Sequence, residues 1–372
     1  MELAKKLAAD LVVVAPDDPL VAGMVDALNA EGFATFGPNA AAAIIEGSKV
    51  FSKNLMLKYN IPTAEYKVFD NPCDVLTYIK EKNEFPAVIK ADGLALGKGV
   101  IIPENLEEAE KGVHEIMEDK IFGESGNHVV VEEFLTGPEV SVLAFTDGKC
   151  VKPMVSSMDH KRALDGDKGL NTGGMGTVSP NPYYTADIAK ECMEKIFLPT
   201  IDAMNKEGRT FKGCLYFGLM LTPKGPKVIE YNCRFGDPET QVVLPRLKTD
   251  IIDIFEAINS GTLAELDIEW ADEACACVIA ASGGYPKSYP KGIEITGLEN
   301  GQKDGVIVYH AGTAIKDGKL VTSGGRVLGV TALGSDLQQA LDKAYAALDE
   351  IHFDNMHFRH DIGKQALAAL NK

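Results

Sequence analysis

The chain has 372 residues, with a hydrophobic fraction of 45% and a charged fraction of 24%, as in an ordinary globular protein with more than one core. Its net charge of −17 and its pI near 4.9 argue against nonspecific binding to nucleic acid or to an anionic membrane. We therefore predict two or three domains and neither a nucleic-acid nor a membrane partner.

The cysteines and the apolar runs indicate a cellular compartment. The seven cysteines are scattered and form no CxxC pair, which favours free thiols over a disulfide framework. The first residues lack the apolar core of a signal peptide, and no apolar run reaches the ~18 residues of a membrane span. These features predict a cytoplasmic protein.

The first part of the chain alternates between helical and strand patterns, which predicts a parallel sheet of the βαβ kind. The predicted elements are the end of a helix at 3–9, a strand within 10–18, a helix at 19–30, a strand within 33–38 and a helix from Asn39 to about Tyr59. In the last helix, Lys49 and Lys53 lie four residues apart on one face. A solvated face is the simpler interpretation of either lysine alone.

A glycine-rich loop connects two predicted strands, Ala87–Lys90 and Val100–Pro103. Its glycines allow the backbone to lie close to phosphates, and its lysines can neutralise them. The residues concerned are Lys90, Gly93, Gly97, Lys98 and Gly99. The loop matches neither a P-loop nor a GxGxxG turn. By itself it fits a flexible hairpin with exposed lysines equally well.

Acidic residues then flank two strands. Residues 132–135 (EEFL) end an apolar strand, where backbone groups and a carboxylate could hold an adenine edge and ribose hydroxyls, and Glu139 begins the next strand. Acids at strand ends are often only solvated, so neighbouring motifs must support this interpretation. The long polar segment at 156–180 follows and ends in Gly173-Gly174-Met175-Gly176. A loop of this length is usually a functional segment or disordered. Its mixed charges and closing GGMG favour an ordered substrate loop with little regular structure.

The residues from Lys227 to Tyr231 predict a strand, on which Glu230 and Asn232 share a face. A carboxylate and an amide oxygen are hard ligands suited to Mg²⁺ held together with nucleotide phosphates. Arg234 follows as an anion clamp, and Asp237 and Glu239 lie in the next turn. A solvated edge strand with salt bridges is the alternative. The cluster of arginine and acids favours the site.

From Ala274 onward, strands, turns and a late helix at Leu337–Ile351 predict an α+β domain. We predict a multidomain α/β and α+β protein with boundaries at 1–50, 51–268 and 269–372, and with the glycine-loop subdomain at about 61–130.

Four motifs in this order resemble the phosphoribosylamine-glycine ligases (glycinamide ribonucleotide synthetases), a family of ATP-grasp enzymes in purine biosynthesis. They are GLALGKG, EEFLTGPEVS, HKRALDGDKGLNTGGMG and IEYNCRFGDPETQ, and the similarity runs from about Asp10 to the C-terminus. The resemblance implies an ATP-grasp fold with a partial N-terminal α/β domain and a C-terminal α+β domain. We also predict a monomer or a weak dimer.

The resemblance implies roles for three groups of residues. Lys53 and Lys90 contact the ATP phosphates, and Gly97, Lys98 and Gly99 form the closing loop. Glu132, Glu133, Phe134 and Leu135 hold adenine, Glu139 holds ribose, and Glu230 and Asn232 hold Mg²⁺ or Mn²⁺. Arg234 and the loop around Asp165, Asp167 and Asn171 arrange the substrates glycine and 5-phosphoribosylamine.

The implied reaction activates the glycine carboxylate as an acyl phosphate, which the amine of phosphoribosylamine then attacks. Catalysis needs positioning and charge neutralisation rather than an enzyme nucleophile. The alternatives are another ATP-grasp carboxylate-amine ligase or a carboxylase, and an ATP-binding protein made inactive by truncation.

The chain departs from the family pattern in three places. Members of the family begin with a strand and a GSGGREH-like turn, so we expect the chain to be shortened by about one βαβ unit of roughly 30 residues. Leu96 stands where a small residue is common. The strand before Glu230 lacks a second acid, so the metal site is expected to depend on Glu230 and Asn232.

Overall fold

The computed structural model describes residues 1–95, 99–301 and 305–371. The first elements are α1 (Glu2–Leu7), β1 (Leu11–Val13), α2 (Asp17–Val21), α3 (Met24–Ala30), β2 (Ala34–Phe36), α4 (Ala40–Gly47) and α5 (Lys49–Lys58). Strands β1 and β2 pair in parallel, which confirms the predicted βαβ arrangement.

The prediction of two longer helices in this region is wrong, because the structure has two shorter helices in place of each one. Gly23 adopts a φ of 85° between α2 and α3, a conformation that glycine reaches without strain. Ser48 has an extended backbone between α4 and α5, and its side chain accepts a hydrogen bond from the Phe51 N–H as the cap of α5. Because α5 begins at Lys49, this lysine and Lys53 belong to the same short helix.

The glycine-loop subdomain is an antiparallel sheet covered by two helices. Its elements are β3 (Tyr66–Phe69), α6 (Pro72–Lys82), β4 (Ala87–Ala91), β5 (Val100–Ile101), α7 (Leu106–Val113) and β6 (Val129–Glu133). The strand order is β3-β6-β4-β5. Val75 and Ile79 of α6 pack with Ile89 and Val131 of the sheet in one apolar core. A π-helical turn, His114–Glu118, continues α7.

The next part of the chain contains the strand that carries Glu230. Its elements are β7 (Glu139–Thr146), β8 (Val151–Pro153), β9 (Met158–Asp159), β10 (Arg162–Leu164), β11 (Lys168–Asn171), β12 (Gly176–Ser179), α8 (Ala186–Cys192), α9 (Leu198–Lys206), β13 (Gly213–Thr222) and β14 (Gly225–Asn232). Strands β14, β13, β7 and β8 form a second antiparallel sheet in that order. Another π-helical turn, Met193–Phe197, joins α8 to α9, in which Pro199 is the second residue.

The remaining elements form the C-terminal part. They are α10 (Thr240–Val243), α11 (Ile251–Ser260), β15 (Ala274–Ser282), α12 (Leu298–Gly301), β16 (Val306–His310), β17 (Thr313–Lys316), β18 (Lys319–Thr322), β19 (Arg326–Gly334), α13 (Leu337–Leu348), β20 (Met356–His357) and α14 (Lys364–Leu370). Short 3₁₀ turns lie at Gly123–Gly126, Leu244–Arg246 and Leu263–Glu265. None of the helices in the described ranges has the length and apolar character needed to cross a membrane.

The polar segment at 156–180 is more regular than predicted. Strands β10 and β11 form an antiparallel hairpin, while β9 and β12 join the C-terminal sheet in the order β16-β19-β15-β12-β9. The prediction of an irregular loop is therefore wrong, since the partner strand β15 lies far away in the sequence. Strands β9 and β12 lie within the predicted 51–268 unit, but β12 pairs with β15 of the predicted C-terminal unit and β9 pairs with β12. The domain boundaries stay a prediction.

Candidate active site

A cavity lies where residues of the sheet β3-β6-β4-β5 meet residues of the sheet β14-β13-β7-β8. Two adjoining pockets form it and share Lys90, Glu132, Asp159, Lys161, Asn171 and Ile229. Strand β4 contributes Lys90, β6 contributes Glu132, and β14 contributes Ile229. Both sheets and the segment at 156–180 therefore line one space.

Most of the predicted site residues line this cavity. They are Lys53, Lys90, Gly99, Glu132, Glu133, Phe134, Leu135, Glu139, Asp167, Asn171, Glu230, Asn232 and Arg234. Gly97 and Lys98, which were also predicted, lie outside the described residues, as does Leu96. Asp165 does not line either pocket. The structure brings the predicted residues together, and their individual roles stay predictions.

A buried group of two lysines and one carboxylate forms one wall. Lys53 Nζ lies 2.9 Å from one oxygen of Glu132, and Lys90 Nζ lies 3.1 Å from the other. Lys53 also donates to Thr63 Oγ1, and Lys90 donates to the Ile229 carbonyl of β14. Burial lowers the pKa of Lys53 to about 8, although Glu132 opposes this shift. The cavity thus holds two preorganised cations that share a single counter-ion.

Glu230 faces several cations across the cavity. Burial alone would raise its pKa, but Lys161, Lys90, Lys49 and Arg234 together hold the pKa below its ordinary value. Lys161 Nζ lies 4.0 Å from Glu230, and Lys161 in turn lies 3.2 Å from Glu139. The carboxylate is therefore ionised at neutral pH and ready to bind a cation.

A side chain directly opposite Glu230 on β13 would have little room. Gly218 pairs with Glu230 across the two strands. A Cβ at position 218 would lie only 3.3 Å from the Glu230 Cγ and 3.4 Å from its carbonyl oxygen, so an acidic side chain would have little room. No cluster of three or more His, Cys, Asp or Glu residues that could hold a metal is found in the described ranges. The oxygen donors of Glu230 and Asn232 fit a magnesium-like ion whose remaining ligands are phosphates and water.

Arg234 follows the end of β14 and is held by acids of the N-terminal part of the chain. Its guanidinium lies 3.1 Å from Glu46 and 3.8 Å from Asp17, and it donates to Asn232 Oδ1 at 3.2 Å. The second oxygen of Glu46 accepts the Cys233 N–H. Because α4 supplies Glu46, the N-terminal part of the chain fixes the end of β14 and the orientation of the Asn232 amide.

Glu239 lies in a buried polar cluster, and the half-buried Asp159 is close enough to sense its charge. Tyr216 OH donates to Glu239 at 3.1 Å and lies 2.8 Å from Ser141 Oγ. Burial raises the pKa of Glu239, and burial together with the neighbouring Glu239 raises the pKa of Asp159 well above its ordinary value. These carboxyl groups differ from Glu230, which is kept ionised by lysines.

The acids of the β10–β11 hairpin point toward the C-terminal segment. Asp167 lies 2.9 Å from Arg359 and accepts a hydrogen bond from Gln365. Asp165 accepts the His360 N–H and contacts its imidazole. The carboxylate of Asp167 thus has structural partners, whereas Asn171 is exposed and lines both pockets.

Sequence reasoning assigned no role to Lys49 or Lys161, although both line the cavity. Lys49 donates to the Gly93 carbonyl at 2.6 Å, and burial lowers its pKa. The pKa of Lys161 is raised well above its ordinary value, chiefly by Glu139. The signal for Lys49 was its helical spacing from Lys53. The signal for Lys161 was its place in the polar segment next to Asp159.

His160 supports the polar segment from inside the protein. Its Nε2 accepts the Gly363 N–H, so Nδ1 carries the proton and donates to the Gly176 carbonyl. Burial lowers the pKa of His160 from 6.5 to about 4. The neutral imidazole is therefore the form that the fold requires.

Acidification should destabilise the protein through His160. The unfolded chain binds a proton below pH 6.5, whereas the folded chain resists it down to about pH 4, so stability falls as the pH drops through this window. The full effect is about 3 kcal/mol. The free energy of unfolding, measured with urea at several pH values, should decrease less steeply with falling pH for His160→Gln than for the original protein. The exposed His310→Gln is the control, and an unchanged slope in His160→Gln would refute the assignment.

Two antiparallel sheets that line one cavity define an ATP-grasp enzyme, as predicted: Lys90 of β4 and Lys53 of α5 lie on one side, and the Glu-x-Asn end of β14 lies on the other. The chain matches the phosphoribosylglycinamide synthetase N domain at residues 1–46, the ATP-grasp (A) domain at 47–240 and the C domain at 275–365. It therefore belongs to the phosphoribosylglycinamide synthetase family. The predicted ligase class is thereby confirmed.

Curated relatives and solved structures agree with this family. The phosphoribosylamine-glycine ligase of Caldanaerobacter subterraneus is 49% identical and aligns over 97% of this chain and 86% of the relative. The chicken trifunctional purine biosynthetic protein adenosine-3 is 51% identical, with 97% of this chain and 36% of the relative covered. The crystal structure of the Thermotoga maritima phosphoribosylamine-glycine ligase has a TM-score of 0.82 at 35% identity, covering 96% of this chain and 88% of that one.

A more distant structure shares the fold alone. It is the biotin carboxylase domain of the Hydrogenobacter thermophilus 2-oxoglutarate carboxylase, with MgADP, ADP and bicarbonate. Its TM-score is 0.73 at 16% identity, over 96% of this chain and 77% of that one. The ATP-grasp class implies the use of ATP.

Proposed function

We propose that this enzyme joins glycine to 5-phosphoribosylamine and forms glycinamide ribonucleotide, ADP and phosphate. The observation that carries the proposal is one cavity in which Lys53 and Lys90 face Glu230 and Asn232, with the β10–β11 hairpin beside them. Phosphoryl transfer needs such an arrangement, because the transferred group must be held between cations and its acceptor.

The chemistry has two steps. A glycine carboxylate oxygen attacks the γ-phosphorus of ATP, the bond to the bridging oxygen breaks, and ADP leaves. The amine of phosphoribosylamine then attacks the carbonyl carbon of glycyl phosphate, inorganic phosphate leaves, and the amine proton passes to solvent. Neither step needs a protein nucleophile, so the residues act by positioning and by charge neutralisation.

The nucleotide would lie between the two sheets. Lys53 and Lys90 would bind its phosphates, and their shared partner Glu132 keeps both ammonium groups in place until the phosphates arrive. Strand end 132–135, including Glu133, Phe134 and Leu135, would hold adenine, and Glu139 would hold ribose. Phe134 is 42% exposed at the cavity, which leaves its ring and backbone accessible to a base. Gly97, Lys98 and Gly99 would complete the phosphate site.

Glu230 and Asn232 would hold the divalent ion, either Mg²⁺ or Mn²⁺. When bound, this ion supplies a Lewis acid that neutralises charge on the phosphates. The residues contribute an ionised carboxylate and an amide that Arg234 keeps in one orientation. Lys161 lies near both Glu230 and Glu139 and balances their charge.

The two remaining substrates would bind beside the hairpin. Arg234 would attract the glycine carboxylate or the sugar phosphate, because its planar guanidinium suits both anions. Asn171 would contribute an amide at the cavity edge. Asp167 would act mainly by holding the hairpin against Arg359. We also propose a cytoplasmic location, in keeping with the free cysteines, and a monomer or weak dimer.

The proposal is tested by ADP release from the full chain with ATP and Mg²⁺. We expect release only when both glycine and phosphoribosylamine are present, because the acyl phosphate is consumed by the amine. Omission of either substrate and replacement of glycine by bicarbonate are the comparison reactions. Release with bicarbonate but not with glycine would indicate a carboxylase. Tight ATP binding without turnover on any amine would indicate a silent ATP-binding protein, and either result would overturn the proposal.

A further inference from the structure

Arg326, at the start of β19, contacts two segments of the cavity wall. Its guanidinium donates to the Gly173 carbonyl at 2.9 Å and to the Asp237 carbonyl at 2.8 Å. It also forms an ion pair with the Asp237 carboxylate at 2.8 Å. Gly173 and Asp237 both line the cavity, whereas Arg326 does not. The Arg326 side chain therefore connects the end of the polar segment at 156–180 to the turn that follows β14.

Tyr285 completes this clamp from the other side of Gly173. The Gly173 N–H donates to Tyr285 OH at 3.1 Å, so both backbone groups of Gly173 are bonded to the C-terminal part. A Cβ on Gly173 would lie 3.0 Å from the Arg326 guanidinium carbon, which shows how closely the two groups approach. We call Arg326 and Tyr285 the C-terminal clamp.

The clamp residues are themselves fixed. A Cβ at Gly325 would lie 2.3 Å from the Tyr285 ring, so the tyrosine packs directly on the residue before Arg326. Ser282 holds the same turn, since its N–H donates to the Gly325 carbonyl and its hydroxyl donates to the Gly324 carbonyl. The Arg326 side chain is only 19% exposed. A guanidinium held in this way has lost most of its freedom and can fix its partners accurately.

The clamp also sets the contact between its two targets. A Cβ on Gly174 would lie 2.4 Å from Pro238 Cδ and 2.7 Å from an oxygen of Asp159. Gly174 and the turn at Asp237 are therefore in direct contact, and Arg326 donates hydrogen bonds to both segments. Asn171 and Thr172 precede this contact, and Arg234 precedes the turn, so their relative positions depend on it.

We propose that the C-terminal clamp is a positioning device for the substrate half of the active site. It holds the segment at 171–174 against the turn at 236–239, and thereby sets the distance between the hairpin and Arg234. The nucleotide half, built from Lys53, Lys90 and Glu132, has no contact with the clamp. The proposal rests on the proposed ligase function for its kinetic consequence but not for its structural one.

The kinetic test compares Arg326→Ala, Arg326→Lys and Tyr285→Phe in the full chain. For Arg326→Ala we expect about a 10- to 100-fold loss in kcat/KM for glycine and phosphoribosylamine, because small misplacements of substrate groups have effects of this size. The KM for ATP should change less than about twofold. Tyr285→Phe should show a smaller loss of the same kind. Arg326→Lys keeps the charge but cannot bridge both segments, so it should restore only part of the activity.

Lys319→Ala is the matched control, since Lys319 forms an exposed ion pair with Glu294 in the same part of the chain. Equal losses for ATP and for glycine, accompanied by a lower Tm, would show that Arg326 is merely structural and would overturn the proposal. Unchanged kinetics for glycine and the amine would overturn it as well.

Hydrogen exchange separates this inference from the ligase assignment. The amides of residues 171–176 should exchange faster in Arg326→Ala than in the original protein, whether or not the enzyme turns over. Absence of turnover in the original protein, with faster exchange in the variant, would reject the proposed function and keep the clamp. Unchanged exchange in the variant would reject the clamp.

Discussion

Replacement of Glu230 by alanine is expected to abolish metal-dependent ATP turnover, with a loss in kcat of about 10³-fold or more. Glu230 is the only carboxylate of the predicted ligand pair, and Gly218 on the paired strand offers no substitute. The lysines that keep Glu230 ionised would lose their counter-charge at the place where the cation should bind. ADP release measures the loss, and Mn²⁺ binding followed by electron paramagnetic resonance measures the site directly.

Two further variants test whether the loss of turnover in Glu230→Ala is caused by the loss of the metal site. Glu230→Gln keeps the size and one oxygen of the side chain, and it should also lose most of the metal affinity because the charge is gone. Glu294→Ala removes an exposed carboxylate that is paired with Lys319, and it should leave turnover unchanged. Retained ADP release in Glu230→Ala would exclude Glu230 as the metal ligand.

The parts of the site that depend on local chain geometry could be predicted from the sequence. Strand alternation alone places Glu230 and Asn232 on one face, and the structure shows both lining the cavity. Lys161 could not be assigned in this way, because its partners Glu139 and Glu230 are distant in the sequence. Asp167 has the same difficulty, since Arg359 and Gln365 occupy its carboxylate from the C-terminal segment.

The fold, like the site, could be predicted where it depends on local sequence but not where it depends on distant strands. The parallel pair β1 and β2 follows from a local alternation of strand and helix. Strands β9 and β12 do not, because a short polar segment becomes a strand only where β15 and β12 provide neighbours. The breaks at Gly23 and Ser48 were visible as a glycine and a capping serine, but the helical pattern around them was stronger.

Replacement of Glu132 by alanine is expected to lower the free energy of unfolding by about 3–5 kcal/mol, because it leaves two buried ammonium groups without their counter-ion. Lys53 and Lys90 are only 2% and 4% exposed, so solvent cannot replace the carboxylate. Glu132→Gln keeps an acceptor and should lose somewhat less. Urea unfolding monitored by circular dichroism gives the difference for each variant.

The pH dependence identifies the cause. The pKa of Lys53 is already lowered to about 8, so between pH 8 and its ordinary value of 10.5 the unfolded chain holds more protons and stability rises with pH. Without Glu132 the pKa of Lys53 should fall further. The free energy of unfolding of Glu132→Ala should therefore begin to rise at a lower pH, and part of the lost stability should be regained by pH 9. Glu133→Ala is the control, because the Glu133–Lys227 pair is partly exposed and should contribute about 1 kcal/mol or less. A loss in Glu132→Ala no larger than in Glu133→Ala, or a loss independent of pH, would show that the two lysines do not depend on Glu132.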